Sequence, residues 1–501
     1  MFCATLNLLE NGLVPLLKIA GFNAFSAKAE VDFQVNLVYI KKEVMMIKKS
    51  LYLLVLLVLV ACGASVEENG EYQSTAEEAV HEQTQPAAQQ AQLPVFDFSS
   101  DAARVVAIVE EVHPIFIMPG LLPSYYEDRR AEFLEAASQR MSRTAFVLAI
   151  QRYYTALHDG HMSLGIVDFS WNWISGGGHL EVPFVYVDGQ IFLADSGAQL
   201  LYVDGTTVSE IIDQIDHHFY FENEFARALR LPYHVGQGMI LQQAGVGIYL
   251  AHSNALANPI YITFLENGEQ SEQSVRFVRT SPNVAISSLD YIIRYEVMDD
   301  VLFISLRHFT IGEHITEVAE AIQTAIDAGI TRFIVDLRGN GGGNSAAGAE
   351  LLMAMGMSLP SFGSLRRASQ LAIDQRTQFG VSFSEDADRL EHAPNPNTAA
   401  NPLGIQLAVL MDNASFSSST MMATWVQDGS MGVIVGEPSS NAPSAFGDML
   451  TYTLPTSGFN LQLSYTRFMR PDATADQNVL WPDIAVPASQ ALEAALEYLR
   501  R

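Results

Sequence analysis

The chain has 501 residues, with 28 Lys or Arg against 56 Asp or Glu, and its formal net charge is −28. Phosphate recognition needs clustered basic residues, so this balance argues against a nucleic-acid partner. The six lysines lie at positions 18, 28, 41, 42, 48 and 49, and none follows residue 49. Lysine chemistry is therefore excluded from the rest of the chain.

A segment typical of an export signal begins at Met46. Two lysines precede an apolar run at residues 51–60, and small residues follow it. This order indicates a signal peptide, and the run is too short to span a bilayer, which takes about 20 residues. Because Leu59-Val60-Ala61-Cys62 matches a bacterial lipobox, we predict a lipid on Cys62. The alternative is a plain signal peptide in which Cys62 is incidental.

Residues 1–45 precede this signal, which suggests an over-extended translation start. Residues 62–94 are rich in Glu, Gln, Ala and Ser and predict a disordered tether. The only cysteines are Cys3 and Cys62, so we expect no disulfide in the exported part. These features predict a protein of the bacterial cell envelope, lipid-anchored to a membrane and facing the periplasm or the cell surface.

Helical spacing of apolar residues follows the tether. Ser124 and Glu127 are spaced as a capping box that would start a second helix. A third helix is expected at 144–157, with Gly160 as the glycine that ends it. His161 would then lie just beyond a helix terminus.

The remainder divides into a β-like part and an alternating part. Short β-like runs separated by turn residues occupy 166–283. From 284 onward, strands and helices alternate, which is typical of an α/β core. The expected organisation, in chain order, is over-extended start plus signal (1–61), tether (62–94), three-helix segment (95–165), β-rich region (166–283) and α/β core (284–501).

A glycine-rich loop follows a buried strand at 336–343, with the sequence Asp-Leu-Arg-Gly-Asn-Gly-Gly-Gly. Such a loop presents backbone N–H groups to an anion, either a phosphate or a developing oxyanion, although it can also be a simple tight turn. A dinucleotide fingerprint would need glycine where Asn344 stands, and a phosphate-binding Walker loop would need a lysine. No nucleotide cofactor is therefore expected.

Two further motifs carry nucleophile and base chemistry. Ser417 lies between a predicted strand and a predicted helix, where a serine serves either as a nucleophile or as a helix N-cap. Asp159-Gly160-His161 offers a base, or a solvated helix end. A zinc site would need a third nearby ligand that the motif lacks, so no metal is expected.

In this order, the motifs resemble the S41 peptidase family, which includes the carboxyl-terminal processing peptidases, the tricorn core protease and the interphotoreceptor retinoid-binding protein. The resemblance covers most of 95–490 and is most specific at 336–343, 416–418, 435–438 (Val-Gly-Glu-Pro) and 481–484 (Trp-Pro-Asp-Ile). It implies a crotonase/ClpP-like α/β catalytic core, serine peptidase activity and export. Residues 200–217 are also similar to the strand-turn-helix of PDZ domains, which leaves open a peptide-binding site in the β-rich region.

The family has two catalytic arrangements. The processing peptidases use a lysine about 25 residues after the serine, but that count reaches Ala442 here. The tricorn-like branch uses a histidine from an Asp-Gly-His segment, which this chain has at His161. The resemblance therefore implies the histidine arrangement.

Carried over by motif, Ser417 is the nucleophile and His161 the general base. The backbone N–H groups of Gly342 and Ser418 would bind the oxyanion, and Asp476 would orient His161 directly or through a bridging side chain. The chain departs from the family pattern where Thr420 replaces a glutamate and where Asp476 is shorter than the family's glutamate.

The predicted function is an exported serine peptidase that cleaves peptide bonds of a peptide or protein substrate through an acyl-enzyme. The alternative is a catalytically inactive binding module on the same scaffold, holding an apolar ligand or a peptide. An esterase or amidase would share the mechanism and differ only in its pocket.

Overall fold

The computed structural model describes residues 95–118, 120–166, 178–246, 260–278, 281–282, 293–378 and 389–501. All of them lie in one of the two units of the chain, Ala88–Arg501. The predicted signal, the predicted lipid site at Cys62 and the predicted tether lie outside the described residues. Within the described ranges, no helix combines the length and the apolar character needed to cross a bilayer.

The α-helices are α1 (Ser99–Val112), α2 (Tyr126–Ser138), α3 (Arg143–Tyr154), α4 (Val208–His218), α5 (Glu224–Val235), α6 (Gly238–Gln243), α7 (Glu313–Asp327), α8 (Ser345–Ala354), α9 (Gln370–Gln378), α10 (Ser418–Asp428) and α11 (Ala491–Leu499). Short 3-10 helices lie at Pro114–Ile117, Thr155–Leu157, Pro396–Thr398, Ala473–Ala475 and Ala488–Gln490.

The strands are β1 (Ser163–Ile166), β2 (His179–Leu180), β3 (Phe184–Val187), β4 (Gln190–Leu193), β5 (Gln199–Val203), β6 (Thr206–Thr207), β7 (Ile260–Glu266), β8 (Glu269–Val275), β9 (Phe277–Val278), β10 (Ile293–Met298), β11 (Val301–Leu306), β12 (Arg332–Asp336), β13 (Gly363–Arg367), β14 (Arg389–His392), β15 (Gln406–Met411), β16 (Val433–Gly436), β17 (Phe446–Thr453), β18 (Phe459–Met469) and β19 (Ile484–Ala485).

A six-stranded sheet in the order β10-β11-β12-β15-β16-β19 forms the centre of the α/β part. Its strands run parallel except for the antiparallel pair β10 and β11. Every residue of β11 is buried, as expected for a strand that is covered on both faces. Apolar side chains of α7, α8 and α10 pack on one face of this sheet, and α11 packs on the other.

A second sheet, in the order β1-β18-β13-β14 with β17 paired to β18, packs against the N-terminal helices. Phe146 of α3 stacks on Phe459 of β18, with ring centroids 6.2 Å apart. The buried Asp101 of α1 accepts the N–H groups of Thr456 and Ser457 in the β17–β18 turn. These contacts fix the helical segment to the sheet. A third sheet, in the order β3-β4-β5-β7-β8 with β6 paired to β5, contributes to the same apolar core.

Two local predictions in the helical segment were wrong. The second helix starts at Tyr126 after Tyr125, which makes no side-chain capping bond, so the Ser124–Glu127 box does not form. The third helix, unlike the second, does have a side-chain N-cap, which is the Ser142 hydroxyl. After it, the left-handed residue is His158, with φ of 50°, and not Gly160. Gly160 instead lies against the side chain of Glu222.

The loops that follow β12 and β15 lie side by side, because these strands are parallel neighbours. The carboxyl ends of adjacent parallel strands are where α/β sheets place their ligand sites. The glycine-rich loop follows β12, and the Ser417 segment follows β15. The topology therefore brings these two motifs together.

Candidate active site

Asn340, which is buried, connects the two loops to each other through its backbone and to the sheet through its side chain. Its Nδ2 donates to the carbonyl of Leu306 at 2.7 Å, and its backbone carbonyl accepts the N–H of Phe416 at 3.0 Å. Nearby, Arg338 donates two hydrogen bonds of 2.8 Å to the buried carboxylate of Asp336. A bidentate pair of this kind holds the start of the glycine-rich loop in one geometry.

Ser417 has a strained backbone at the start of α10. Its φ of 57° and ψ of −120° lie in a region that L-residues avoid, at a cost of about 1–3 kcal/mol. The same sharp strand-to-helix turn exposes the nucleophile in many hydrolases. The Ser417 N–H donates to Asn441 Oδ1 at 2.9 Å, which holds the turn.

His161 lies beside the Ser417 segment. Its ring packs on Phe416, with centroids 4.6 Å apart, and its backbone N–H donates to Asp159 Oδ1 at 2.8 Å. His161 and Ser417 line one cavity of about 560 Å³. The predicted nucleophile and base therefore share a site, although they lie far apart in the sequence.

Two carboxylates face the Nδ1 atom of His161. Asp159 Oδ1 and Glu222 Oε1 each lie 3.8 Å from it. Nδ1 is buried and has no hydrogen-bond partner within the described residues. Since a histidine that receives a proton on Nε2 is stabilised by a carboxylate at Nδ1, this arrangement suits a general base.

Glu222, which the sequence analysis did not identify, links His161 to the Ser417 segment. Its Oε2 accepts hydrogen bonds from Asn441 Nδ2 at 2.6 Å and from the Ala442 N–H at 2.8 Å. Asn441 in turn holds the Ser417 N–H. A hydrogen-bonded path thus runs from the Glu222 carboxylate beside His161 to the backbone of Ser417.

Glu222 reaches the site because the residue after it is anchored. Asn223 caps α5 and donates to the carbonyls of Ser439 and Asn478 at 3.1 and 2.9 Å. On the opposite side, Glu222 packs against Gly160, where an added β-carbon would lie 2.7 Å from Oε1. The glycine of Asp-Gly-His is therefore required for this close approach.

Asp159 is fully buried and is held by His113, a second residue that the sequence analysis missed. His113 Nε2 lies 3.2 Å from Asp159 Oδ2, while His113 Nδ1 accepts the Ile115 N–H. Burial alone would raise the pKa of Asp159, but the hydrogen bond from His113 and the nearby His161 hold that pKa below its ordinary value. Asp159 is thus an anion that fixes the His161 backbone.

Asp476 does not contact His161 directly, which is one of the two ways in which it was expected to orient that ring. It is exposed and follows the 3-10 helix Ala473–Ala475. Its charge acts on the half-buried Arg467: burial lowers the pKa of that guanidinium, and the charges of Asp476 and Glu222 partly offset this effect. Of the described carboxylates, those within ion-pair distance of His161 Nδ1 are Asp159 and Glu222.

The structure also differs at the predicted oxyanion groups. The Gly342 N–H donates to Asn340 Oδ1 at 2.8 Å, and a β-carbon at Gly342 would lie 2.7 Å from that of Ser417. Gly343, not Gly342, lines the cavity together with Ser418. The Phe309 N–H donates to the Gly342 carbonyl, and the Asn344 N–H donates to the Phe309 carbonyl, so the Gly343 N–H takes no part in these two hydrogen bonds.

Ser418 is the first residue of α10, so its N–H has no partner within the helix. The Ser418 hydroxyl donates to the Gly343 carbonyl at 2.7 Å, which ties the two cavity-lining residues together. Thr420, where the family pattern has glutamate, is buried and donates to the Ser415 carbonyl at 3.3 Å. Thr420 thus packs inside the fold.

Asp159, His161 and Glu222 form a group of three potential metal ligands. Ligand atoms of Asp159, His161 and Glu222 lie within 4.8 Å of one another. Asp159 already accepts bonds from His113 and the His161 backbone, and Glu222 Oε2 accepts two more. These bonds orient both carboxylates around the imidazole, which is the arrangement of a histidine base.

Comparison with known proteins supports the peptidase class. Residues 300–486, less than half of the chain, match the model described as peptidase family S41. Mature CPAF has a similar fold, with a TM-score of 0.54 and 14% identity over 81% of this chain and 95% of that one. A structure of mature CPAF complexed with lactacystin gives 0.53, also at 14% identity, over 81% of this chain and 97% of that one.

The photosystem II D1 C-terminal processing protease is more distant, with a TM-score of 0.41 and 14% identity over 81% of this chain and 98% of that chain. No curated protein matches the sequence significantly. The comparisons thus support the S41 peptidase family for the region that contains Ser417, within a mixed α/β fold like that of mature CPAF.

Proposed function

We propose that this protein is a serine peptidase that cleaves peptide bonds through an acyl-enzyme on Ser417, with His161 as general base. One observation carries the proposal: a strained Ser417 shares a cavity with His161, whose Nδ1 faces two carboxylates. The S41 match of the surrounding region supports peptide bonds as the target.

In the proposed mechanism, His161 Nε2 takes the proton of the Ser417 hydroxyl as its oxygen attacks the substrate carbonyl. The imidazole later returns that proton to the leaving amine. Glu222 is the positioning carboxylate, the role predicted for Asp476, and stabilises the imidazolium from Nδ1. We expect the 3.8 Å separation between Glu222 Oε1 and His161 Nδ1 to shorten when substrate binds, as catalytic hydrogen bonds often do.

The N–H groups of Ser418 and Gly343 stabilise the tetrahedral oxyanion in this proposal. Both residues line the cavity, whereas the Gly342 N–H is bound to Asn340. Losing one such donor typically slows an acyl-transfer enzyme about 100–1000-fold. The Ser418–Gly343 hydrogen bond keeps the two donors at a fixed spacing.

The histidine arrangement also agrees with the residues around Ser417. No lysine follows residue 49, and Asn441 Oδ1 contacts the Ser417 N–H close to where the other branch of the family carries its lysine. We therefore propose the tricorn-like, Ser-His arrangement. The sequence at 46–62 further leads us to propose export and a lipid anchor on Cys62.

Digestion of a peptide library followed by mass spectrometry tests the proposal. We expect internal peptide bonds to be cleaved by the protein and not by Ser417→Ala. Hydrolysis of small esters without any peptide cleavage would identify an esterase. Intact peptides and intact esters under folded conditions would leave the binding-module alternative.

A further inference from the structure

The cavity that contains Ser417 and His161 also holds three charged side chains that the proposed chemistry does not use. They are Arg366, Arg376 and Asp448. Arg366 lies on β13, Arg376 on α9 and Asp448 on β17. Three separate elements thus converge on one charged group within the substrate cavity.

A break in the β17 pairing positions Asp448. Gly447 pairs with Thr466 and Met449 with Ser464, while Asp448 between them has a φ of 58°. A non-glycine residue rarely adopts such a backbone, and this strain concentrates at functional sites. Thr466 Oγ1 donates to Asp448 Oδ2 at 3.3 Å.

The two arginines surround this one carboxylate without closing on it. Arg376 Nη1 lies 3.6 Å from Asp448 Oδ1, and Arg366 Nη2 lies 4.0 Å from Oδ2. Both distances exceed those of a charged hydrogen bond, which are about 2.7–2.9 Å. The guanidinium donors that face Asp448 therefore retain most of their hydrogen-bonding capacity.

Other contacts hold the arginines in place. Arg366 Nε donates to Thr466 Oγ1 at 3.0 Å, and both guanidiniums lie over the Tyr465 ring, at 5.8 and 5.2 Å from its centroid. Arg376 Nε is buried without a hydrogen-bond partner in the part of the chain that the structure describes. Because Arg366 and Arg376 are cations and Asp448 is an anion, the three side chains together carry one net positive charge.

From this arrangement we infer that Arg366 and Arg376 form a subsite for a carboxylate of the peptide substrate. The inference rests on the proposed peptidase function, because the subsite lies in the cavity of Ser417. A basic substrate side chain would fit poorly, since the two guanidiniums already neutralise Asp448. The carboxylate is either an acidic side chain or the free carboxyl terminus of the substrate.

Paired peptides test this subsite. The peptides derive from one parent peptide with blocked ends. At each position in turn, a peptide with Glu is compared with the same peptide carrying Gln. A further Gln peptide has a free carboxyl terminus and is compared with its blocked form. We expect one carboxylate position to raise kcat/KM about tenfold or more, as charged hydrogen bonds do. Arg366→Gln and Arg376→Gln should each reduce this preference below about threefold, and Asp448→Asn should increase it.

Arg332→Gln is the matched control, because Arg332 forms an ion pair with Asp300 at the start of β12 and does not line the cavity. It should keep the wild-type preference. A preference for Glu identifies a side-chain subsite, and a preference for the free terminus identifies a carboxyl-terminal one. Equal rates for all peptides, or a preference kept in both arginine variants, would overturn the inference.

Binding of the same peptides to Ser417→Ala separates this inference from the proposed function. Tighter binding of the carboxylate peptide, lost in Ser417→Ala/Arg376→Gln, supports the subsite even if the wild type cleaves nothing. Equal binding of carboxylate and amide peptides overturns the subsite, while cleavage by the wild type would still support the peptidase.

Discussion

The site has two halves of different construction. What we call the nucleophile half consists of the segments 336–343 and 412–418, and what we call the acid–base half consists of Asp159, His161 and Glu222, in keeping with their proposed roles. In the nucleophile half, both segments lie at the carboxyl ends of neighbouring buried strands of one sheet. In the acid–base half, Glu222 and His161 come from separate segments and meet only through tertiary packing.

This difference shows which half of the site is determined by local sequence. The nucleophile half is held by adjacent backbone and by Asn340, and it falls inside the matched family region at 300–486. The acid–base half lies outside that region. The position of its Glu222 carboxylate depends on Gly160, Asn223 and Asn441. Substitutions in the two halves should therefore have different kinetic signatures.

The largest effect is expected in the nucleophile half. Ser417→Ala removes the attacking oxygen and should lower kcat by about 10⁴- to 10⁶-fold, measured with a cleaved peptide. The mutant should bind that peptide with nearly unchanged affinity. A mutant that retains more than a tenth of the activity would exclude Ser417 as the nucleophile.

Glu222→Gln should have the next largest effect, because an amide cannot stabilise the imidazolium. We expect kcat to fall about 10²- to 10⁴-fold with little change in KM. Asp476→Asn is the matched control and should lose less than about threefold, since Asp476 acts on Arg467. The reverse order of these two effects would return the orienting role to Asp476.

Asn441→Asp tests the link between the two halves. The new carboxylate can still accept the Ser417 N–H, but it would face Glu222 Oε2 where Asn441 Nδ2 now donates at 2.6 Å. Repulsion should displace Glu222 and lower kcat about 10- to 100-fold. Unchanged kcat at neutral pH would show that the two halves act independently.

Gly160→Ala perturbs the acid–base half sterically. Its β-carbon would lie 2.7 Å from Glu222 Oε1, so the carboxylate must move away from His161. We expect kcat to fall about tenfold while the free energy of unfolding changes by about 1 kcal/mol. Gly236→Ala is the control, since its β-carbon would meet the nearest atom at 3.4 Å. Equal kinetic effects of the two variants would contradict the assigned role of Gly160.

Acid should destabilise the elements around the acid–base half. Burial lowers the pKa of His234, on α5, to about 4 from 6.5, and it lowers that of His179 similarly. The unfolded state binds more protons between these values, so stability falls as the pH drops from about 6.5 to about 4. His234→Phe should reduce this loss by on the order of 2 kcal/mol, measured by urea unfolding at pH 7 and pH 4.5. An identical loss in the variant would show that His234 does not titrate in this range.

The sequence predicted the residues that belong to local motifs. Ser417 and His161 each lie next to the end of a secondary-structure element, and the structure places both in one cavity. The alternation of buried strands and helices after 284 likewise matches the central sheet, because strands covered on both faces are continuously apolar.

Features that depend on tertiary contacts could not be predicted from the sequence. Glu222 carries no motif, and only the anchoring of Asn223 to Ser439 and Asn478 brings it to His161. The sequence predicted Gly160 as the glycine that ends a helix. In the structure, its lack of a side chain instead makes room for Glu222. The Gly342 N–H, which the sequence predicted as an oxyanion donor, is instead bound to the Asn340 side chain, and Gly343 lines the cavity.

The central claim is that His161 activates Ser417, and the rate of covalent labelling by a fluorophosphonate tests it most directly. Mass spectrometry should locate the label on Ser417 in the wild-type protein, and His161→Ala should slow labelling at least 100-fold while the protein remains folded. Labelling of Ser417 at the wild-type rate in His161→Ala, or a label on another residue, would contradict the account.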